Sequence, residues 1–166
     1  DALLVGLYPG AAVEAVERLA TALAPGTLVV DCCGVKRPVC AALEPLAARH
    51  GFSFLGGHPM AGRERFGYDH SLETLFDGAS MILTPTAATA SDALARAKAL
   101  LAPLGFARFC ICTPEEHDRM IAYTSQLAHV VSSAYVQSDT SLSHVGFSAG
   151  SFQDMTRVAR LYEPMW

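Results

Sequence analysis

The chain has 166 residues, 51% of them hydrophobic and 17% charged, enough for a sizeable core in one domain or in a domain plus part of another. Its formal net charge of −4, from 12 basic and 16 acidic residues, argues against a nucleic-acid footprint. No apolar run reaches the roughly 18 residues of a membrane span. Lys36, Arg37, Arg63 and Arg65 come closest to a basic cluster and read as a pocket for a small anion. Five cysteines, an odd number, fit reduced thiols in a cytoplasmic protein. Cys110 and Cys112 form C-x-C on a β-like run, where a metal site would need two further ligands.

Short apolar or β-branched runs alternate with amphipathic segments, the pattern of a doubly wound parallel α/β sheet. Residues 2–7 form a continuous apolar run, expected as a strand buried on both faces. Tyr8-Pro9-Gly10 breaks it, and Val13, Val16, Ala20 and Leu23 then recur at helical spacing. Residues 27–30 are the next strand and 31–36 the loop after it. Pro38 suits the first turn of a helix reaching about His50, with a kink or break expected at Pro45.

Residues 52–55, 80–83 and 107–111 read as three further strands. Before the last of them lies a helix capped by Ser91, with Leu94, Ala97 and Leu101 on one face. Thr113-Pro114-Glu115-Glu116 is a capping box with proline at the first helical position. It opens a long helix to about Gln137, and the pattern change there marks a domain boundary. The sequence contains no G-x-G-x-x-G, the turn that cradles a dinucleotide pyrophosphate. The reading is therefore of the middle of a longer protein, starting some way into the sheet.

The most informative segment is Gly56-Gly57-His58-Pro59-Met60-Ala61-Gly62-Arg63-Glu64. It places an imidazole in the loop at a strand's carboxyl end, where open α/β sheets carry their chemistry. The flanking glycines would allow close ligand approach, and Glu64 is near enough to share the loop. Imidazole accepts or donates a proton at neutral pH, which suits withdrawal of a hydroxyl proton, although a histidine beside a proline is most often structural. On the later helix, Ser125 and His129 are four residues apart and share a face. Arg157 and Arg160 offer guanidinium forks for carboxylates, or a plain exposed surface.

Four segments together resemble the prephenate dehydrogenase family of tyrosine biosynthesis. They are residues 56–67 with 71–78 and 82–86, the loop Asp31-Cys32-Cys33-Gly34-Val35-Lys36, the helix Ser125-Gln126-Leu127-Ala128-His129, and Phe152–Ala159. The resemblance runs through nearly the whole chain. It implies the C-terminal half of a doubly wound, Rossmann-like nucleotide-binding domain over residues 1–112, without its glycine-rich first βαβ unit. Residues 113–166 would then begin an all-α substrate-binding and dimerisation domain.

By resemblance, His58 holds the substrate's ring hydroxyl and assists its deprotonation, and Glu64 shapes the pocket beside it. Arg63 stands where relatives often carry a small hydroxyl residue. Ser125 and His129 line the pocket, Arg157 binds a substrate carboxylate, and Tyr8, Pro9 and Gly34 meet the cofactor, NAD or NADP. Gly34 stands where many relatives carry a serine that orients the histidine, so water, Cys33 or another donor would have to replace it. His117 is expected to be structural, near the domain junction.

The activity implied is oxidative decarboxylation of prephenate to 4-hydroxyphenylpyruvate by a homodimer, without metal, membrane or nucleic acid. Three alternatives stand beside it. One is an arogenate dehydrogenase, another a non-catalytic fragment or oligomerisation module, and the third a metal site through His58, His129 and the cysteines.

Overall fold

The computed structural model describes residues 1–62 and 67–159. They fall into two compact units, residues 1–118 and 119–166. The first unit is a five-stranded sheet in sequential order: β1 (Ala2–Val5), β2 (Leu28–Asp31), β3 (Ser53–Pro59), β4 (Ser80–Thr84) and β5 (Arg108–Ile111). Three helices belong to it, α1 (Pro9–Leu19), α2 (Arg37–His50) and α3 (Ala93–Leu101).

The β2–β3 register explains how both faces are buried. Val29 pairs with Phe54, and this layer packs with Val16, Val39 and Leu43 from α1 and α2. Their neighbours Leu28, Val30 and Leu55 turn to the opposite face and join Met81, Leu83, Ala93 and Ala97. Side chains alternate along a strand, so a nearly continuous apolar run covers both faces at once.

The sheet is mixed and not uniformly parallel. β1, β2 and β3 run parallel, β4 is antiparallel to β3, and β5 is parallel to β4. Helices α1, α2 and α3 provide the crossovers that return the chain to the same end of the sheet. Between β3 and β4 the described residues hold a short 3₁₀ helix, Tyr68–His70, and a run of turns over residues 73–78, but no α-helix. Without a crossover helix, β4 starts at the end where β3 finishes and runs back along it.

Helix α2 continues unbroken through Pro45, against the expected break. It ends at Gly51, whose left-handed φ of +79° lets its N–H reach the carbonyl of Ala47. Helix α3 starts one residue later than the serine cap implied, with Asp92 at its N-cap.

The capping box forms as expected. Glu116 N–H donates to Thr113 Oγ1 at 3.1 Å, and Thr113 N–H donates to Glu116 Oε2 at 3.0 Å. It opens α4 (Pro114–Ile121), which passes through a π-helical turn at Ala122–Gln126 into α5 (Leu127–Val136). Helix α6 (Gly150–Val158) packs against α5 in the second unit, where the Tyr135 and Phe152 rings lie 5.8 Å apart. Among the described residues no helix is long and apolar enough to cross a membrane.

Candidate active site

The site grows from the carboxyl ends of the parallel strands. β3 runs further than its apolar run suggests, through Gly56, Gly57, His58 and Pro59, so His58 sits within a strand paired to Ile82 of β4. The two glycines do not open the backbone to a ligand, as the sequence had implied. A Cβ at Gly56 would stand 2.3 Å from Thr84 Oγ1, and one at Gly57 would stand 2.6 Å from the Asp31 carbonyl and 2.8 Å from Met81 Cε. Glycine is needed here because β2, β3 and β4 crowd together.

Beneath His58 lies a charged pair with no solvent access. Asp31 and Lys36 are both fully buried, and Lys36 Nζ donates to the Asp31 carboxylate and to the Gly57 carbonyl. Asp31 also accepts the N–H of Cys33 at 2.9 Å and of Gly57 at 3.1 Å. Lys36 is therefore part of the scaffold and unavailable for the anion pocket expected of it. Two ions so deep in the protein survive only because each is paired and hydrogen-bonded.

His58 Nδ1 lies 2.8 Å from His117 Nε2, and His117 Nδ1 lies 2.7 Å from Asp118 Oδ1. The Asp118 carboxylate also accepts the backbone N–H of Lys36 at 2.8 Å and of Arg37 at 3.0 Å. Those amides form the N-terminus of α2, where the helix dipole favours a negative charge. His117 is almost completely buried and belongs to this cluster, in contact with both His58 and Asp118. A contact spanning 59 residues of chain carries no local signal; the capping box just before it was the nearest hint.

The electrostatics keep both rings neutral. Burial is the main reason that the His58 pKa falls from 6.5 to about 4, with His117 and Lys36 adding to it. Burial also lowers the pKa of His117, against the opposing pull of Asp118. For Asp118 burial would raise the pKa, yet the N–H groups of Arg37 and Lys36 and the ring of His117 hold it below the usual range. A neutral imidazole at pH 7 can accept a proton.

Gly34 is exposed beside this ring, and a Cβ there would lie 3.8 Å from His58 Nε2. Bare backbone thus borders the outer nitrogen, leaving space that a larger side chain would occupy. Cys33 does not substitute for a serine hydroxyl at this point, because its thiol is committed to the Leu7 carbonyl at 3.4 Å. Burial, with Asp31 second, pushes the Cys33 pKa up to about 12, so it remains a thiol. The same bond ties the loop after β2 to the loop after β1. There Tyr8, half exposed, is the N-cap of α1 and Pro9 its first residue.

Glu64 and Arg63 lie outside the described residues, as do Arg65 and Arg160. Ser125, His129 and Arg157 belong to the second unit. Ser125 falls in the π-helical turn, a feature often found where helices carry function. His129 Nδ1 donates to the Val158 carbonyl at 2.8 Å, tying α5 to the end of α6 that carries Arg157. A cavity of about 450 Å³ in this unit, bordered by Tyr135, Ser138, His144, Phe147 and Phe152, contains none of these three residues. Among the described residues no three His, Cys, Asp or Glu side chains are grouped to hold a metal.

The fold is that of a nucleotide-binding α/β domain followed by the start of a helical domain. Within that class the chain belongs to the prephenate dehydrogenase family. The family's nucleotide-binding domain matches residues 4–129 and its dimerization domain matches residues 113–166. A prephenate dehydrogenase of Bacillus subtilis is 36% identical over 120 residues, covering 69% of this chain and 32% of that protein. The structure of prephenate dehydrogenase from A. aeolicus in complex with hydroxyphenyl propionate and NAD+ superposes with a TM-score of 0.86. It is 30% identical, and the match covers all of this chain and 58% of that one. Synechocystis arogenate dehydrogenase, also 30% identical, gives a TM-score of 0.82 over 99% of this chain and 60% of its own. The chain spans between 32% and 55% of the length of the curated relatives it matches.

Proposed function

We propose that this chain forms part of an enzyme that oxidatively decarboxylates prephenate to 4-hydroxyphenylpyruvate, using NAD or NADP. The observation that carries this reading is a neutral His58 at the strand ends, its Nδ1 engaged by His117 and its Nε2 bordered by the bare backbone of Gly34. That open backbone, with residues 6–9 at the end of the neighbouring strand, suits a flat ring approaching His58. A bound oxidised nicotinamide would supply the hydride acceptor.

His58 Nε2 then accepts the proton of the substrate's ring hydroxyl while hydride leaves the carbon that bears it. The bond to the ring carboxylate breaks, carbon dioxide departs, and its electron pair completes the aromatic ring, whose oxygen recovers a proton. Glu64 and Arg63, which follow β3 in the chain, would complete the pocket. Ser125, His129 and Arg157 would supply the substrate contacts of the helical domain, with Arg157 on a carboxylate. The domain boundary would fall at the capping box, between residues 1–112 and 113–166, although the compact units divide after Asp118 and leave His117 and Asp118 with the sheet.

The protein would be cytoplasmic, consistent with five unpaired cysteines, and dimeric. Exposed Met120, Leu127, Val130 and Val131 form an apolar stripe on the helices of the second unit, which supports a self-association face. The test is turnover of prephenate and of arogenate with NAD and with NADP, by the chain alone and by the chain preceded by a glycine-rich βαβ unit. Reduction of either cofactor with prephenate supports the reading; turnover of arogenate alone assigns the sibling activity. Silence in a folded, extended protein with both substrates would contradict it.

A further inference from the structure

We propose that His117 and Asp118 are positioning residues that select the tautomer of His58, keeping its proton on Nδ1 and its lone pair on Nε2. Asp118 receives the N–H groups of Lys36 and Arg37 at the start of α2, an arrangement that suits the ionised, acceptor-only form. At 2.7 Å from such an acceptor, His117 Nδ1 must carry hydrogen. A neutral His117 then presents a bare Nε2, and His58 Nδ1, 2.8 Å away, must donate to it. One proton per ring is thereby assigned, and the nitrogen left without hydrogen is His58 Nε2, the one beside Gly34.

The charged groups around the ring act in both senses, and burial decides between them. Buried Lys36 opposes an imidazolium; Asp31 and Asp118 favour one but are already occupied by their own donors, and burial outweighs them. Glycine at position 34 gives the chain a particular need for this device. A side chain at that position would begin 3.8 Å from Nε2 and could fix the ring from its outer side, whereas Gly34 offers nothing. Among the described residues, orientation therefore comes from the inner side, through a carboxylate anchored on a helix N-terminus. The tautomer follows from the geometry together with the neutrality that burial imposes on His117; its importance for turnover rests on the function proposed above.

The test is long-range ¹H–¹⁵N correlation of the histidine side chains in the isotope-labelled chain at neutral pH, with single His→Gln variants to assign the six rings. The expected spectrum shows His58 and His117 both protonated on Nδ1, with an unprotonated, pyridine-type Nε2 on His58. A proton on His58 Nε2 would overturn the proposal whether or not the protein turns over prephenate.

Two variants separate positioning from packing. His117→Gln keeps an acceptor for His58 Nδ1 and should preserve the tautomer; His117→Leu removes it and should leave His58 as a mixture. In the extended protein the Leu variant should lower kcat by about 10–100-fold with little change in KM, and the Gln variant should recover most of that loss. A Leu variant with wild-type tautomer and kcat would also overturn the proposal. Should the Leu variant fail to fold, the wild-type and Gln spectra still decide.

Discussion

The two units treat polar groups in opposite ways. In the sheet unit, Asp31, Lys36 and His117 are buried at 1% exposure or less, and each is tied to named partners. In the helical unit, Leu142, Val145 and Phe147 are more than 80% exposed and large apolar side chains run along α5. A protein interior tolerates buried charge only where rigid geometry satisfies it, so the first unit has the character of a preorganised site. Uncovered apolar surface has the opposite meaning: it is the part of a fold that another surface completes. The contrast teaches that satisfied buried polar groups and uncovered apolar surface are concentrated in different parts of this chain.

The contrast can be broken most severely at Asp31. Asp31→Ala leaves the Lys36 ammonium buried without its counter-charge and should cost about 3–5 kcal/mol, read from urea denaturation of the chain. Gly57→Ala should cost less, about 1–3 kcal/mol, by forcing a methyl against the Asp31 carbonyl and Met81. A cost no greater than that of an exposed Gly→Ala change would show that β3 can move away from β2, contrary to the close packing described.

Acid should weaken the same unit more gently. The folded-state pKa of His58 is about 4, below its ordinary 6.5, and that of His117 is lowered too. Between those values the unfolded chain binds protons that the folded one does not, so stability is full above about pH 6.5 and declines towards pH 4. Urea midpoints across that window measure the slope, and His58→Gln should flatten it. The smallest effect on the fold is expected from Val131→Glu, on the exposed face of α5. It should leave the stability of the chain within about 0.5 kcal/mol while weakening the proposed self-association of the extended protein in sedimentation.

Much of this organisation was legible in the sequence because its causes are local. The capping box at Thr113 and Glu116, the apolar strands and the helical spacing of Val13, Val16 and Ala20 each depend on residues a few positions apart. His58 stood out for the same reason. What escaped depends on distant partners. Lys36 reads as part of an anion pocket until Asp31 and the Gly57 carbonyl are brought to it, and the two glycines read as room for a ligand until Thr84 and Met81 are seen against them. The pairing of His58 with His117 has no local trace. The antiparallel course of β4 goes with a β3–β4 connection whose described residues hold no α-helix, a feature that strand propensity alone does not report.

The most direct measurement is the pH dependence of kcat/KM for prephenate in the extended protein, compared with His58→Ala. The account predicts a wild-type rate that stays level through neutral pH and falls only as the pH approaches about 4. The alanine variant should lose about 10²–10⁴ in rate and the acidic limb with it. A folded His58→Ala protein that retains the wild-type rate and the same acidic limb would contradict the assignment of His58 as the base.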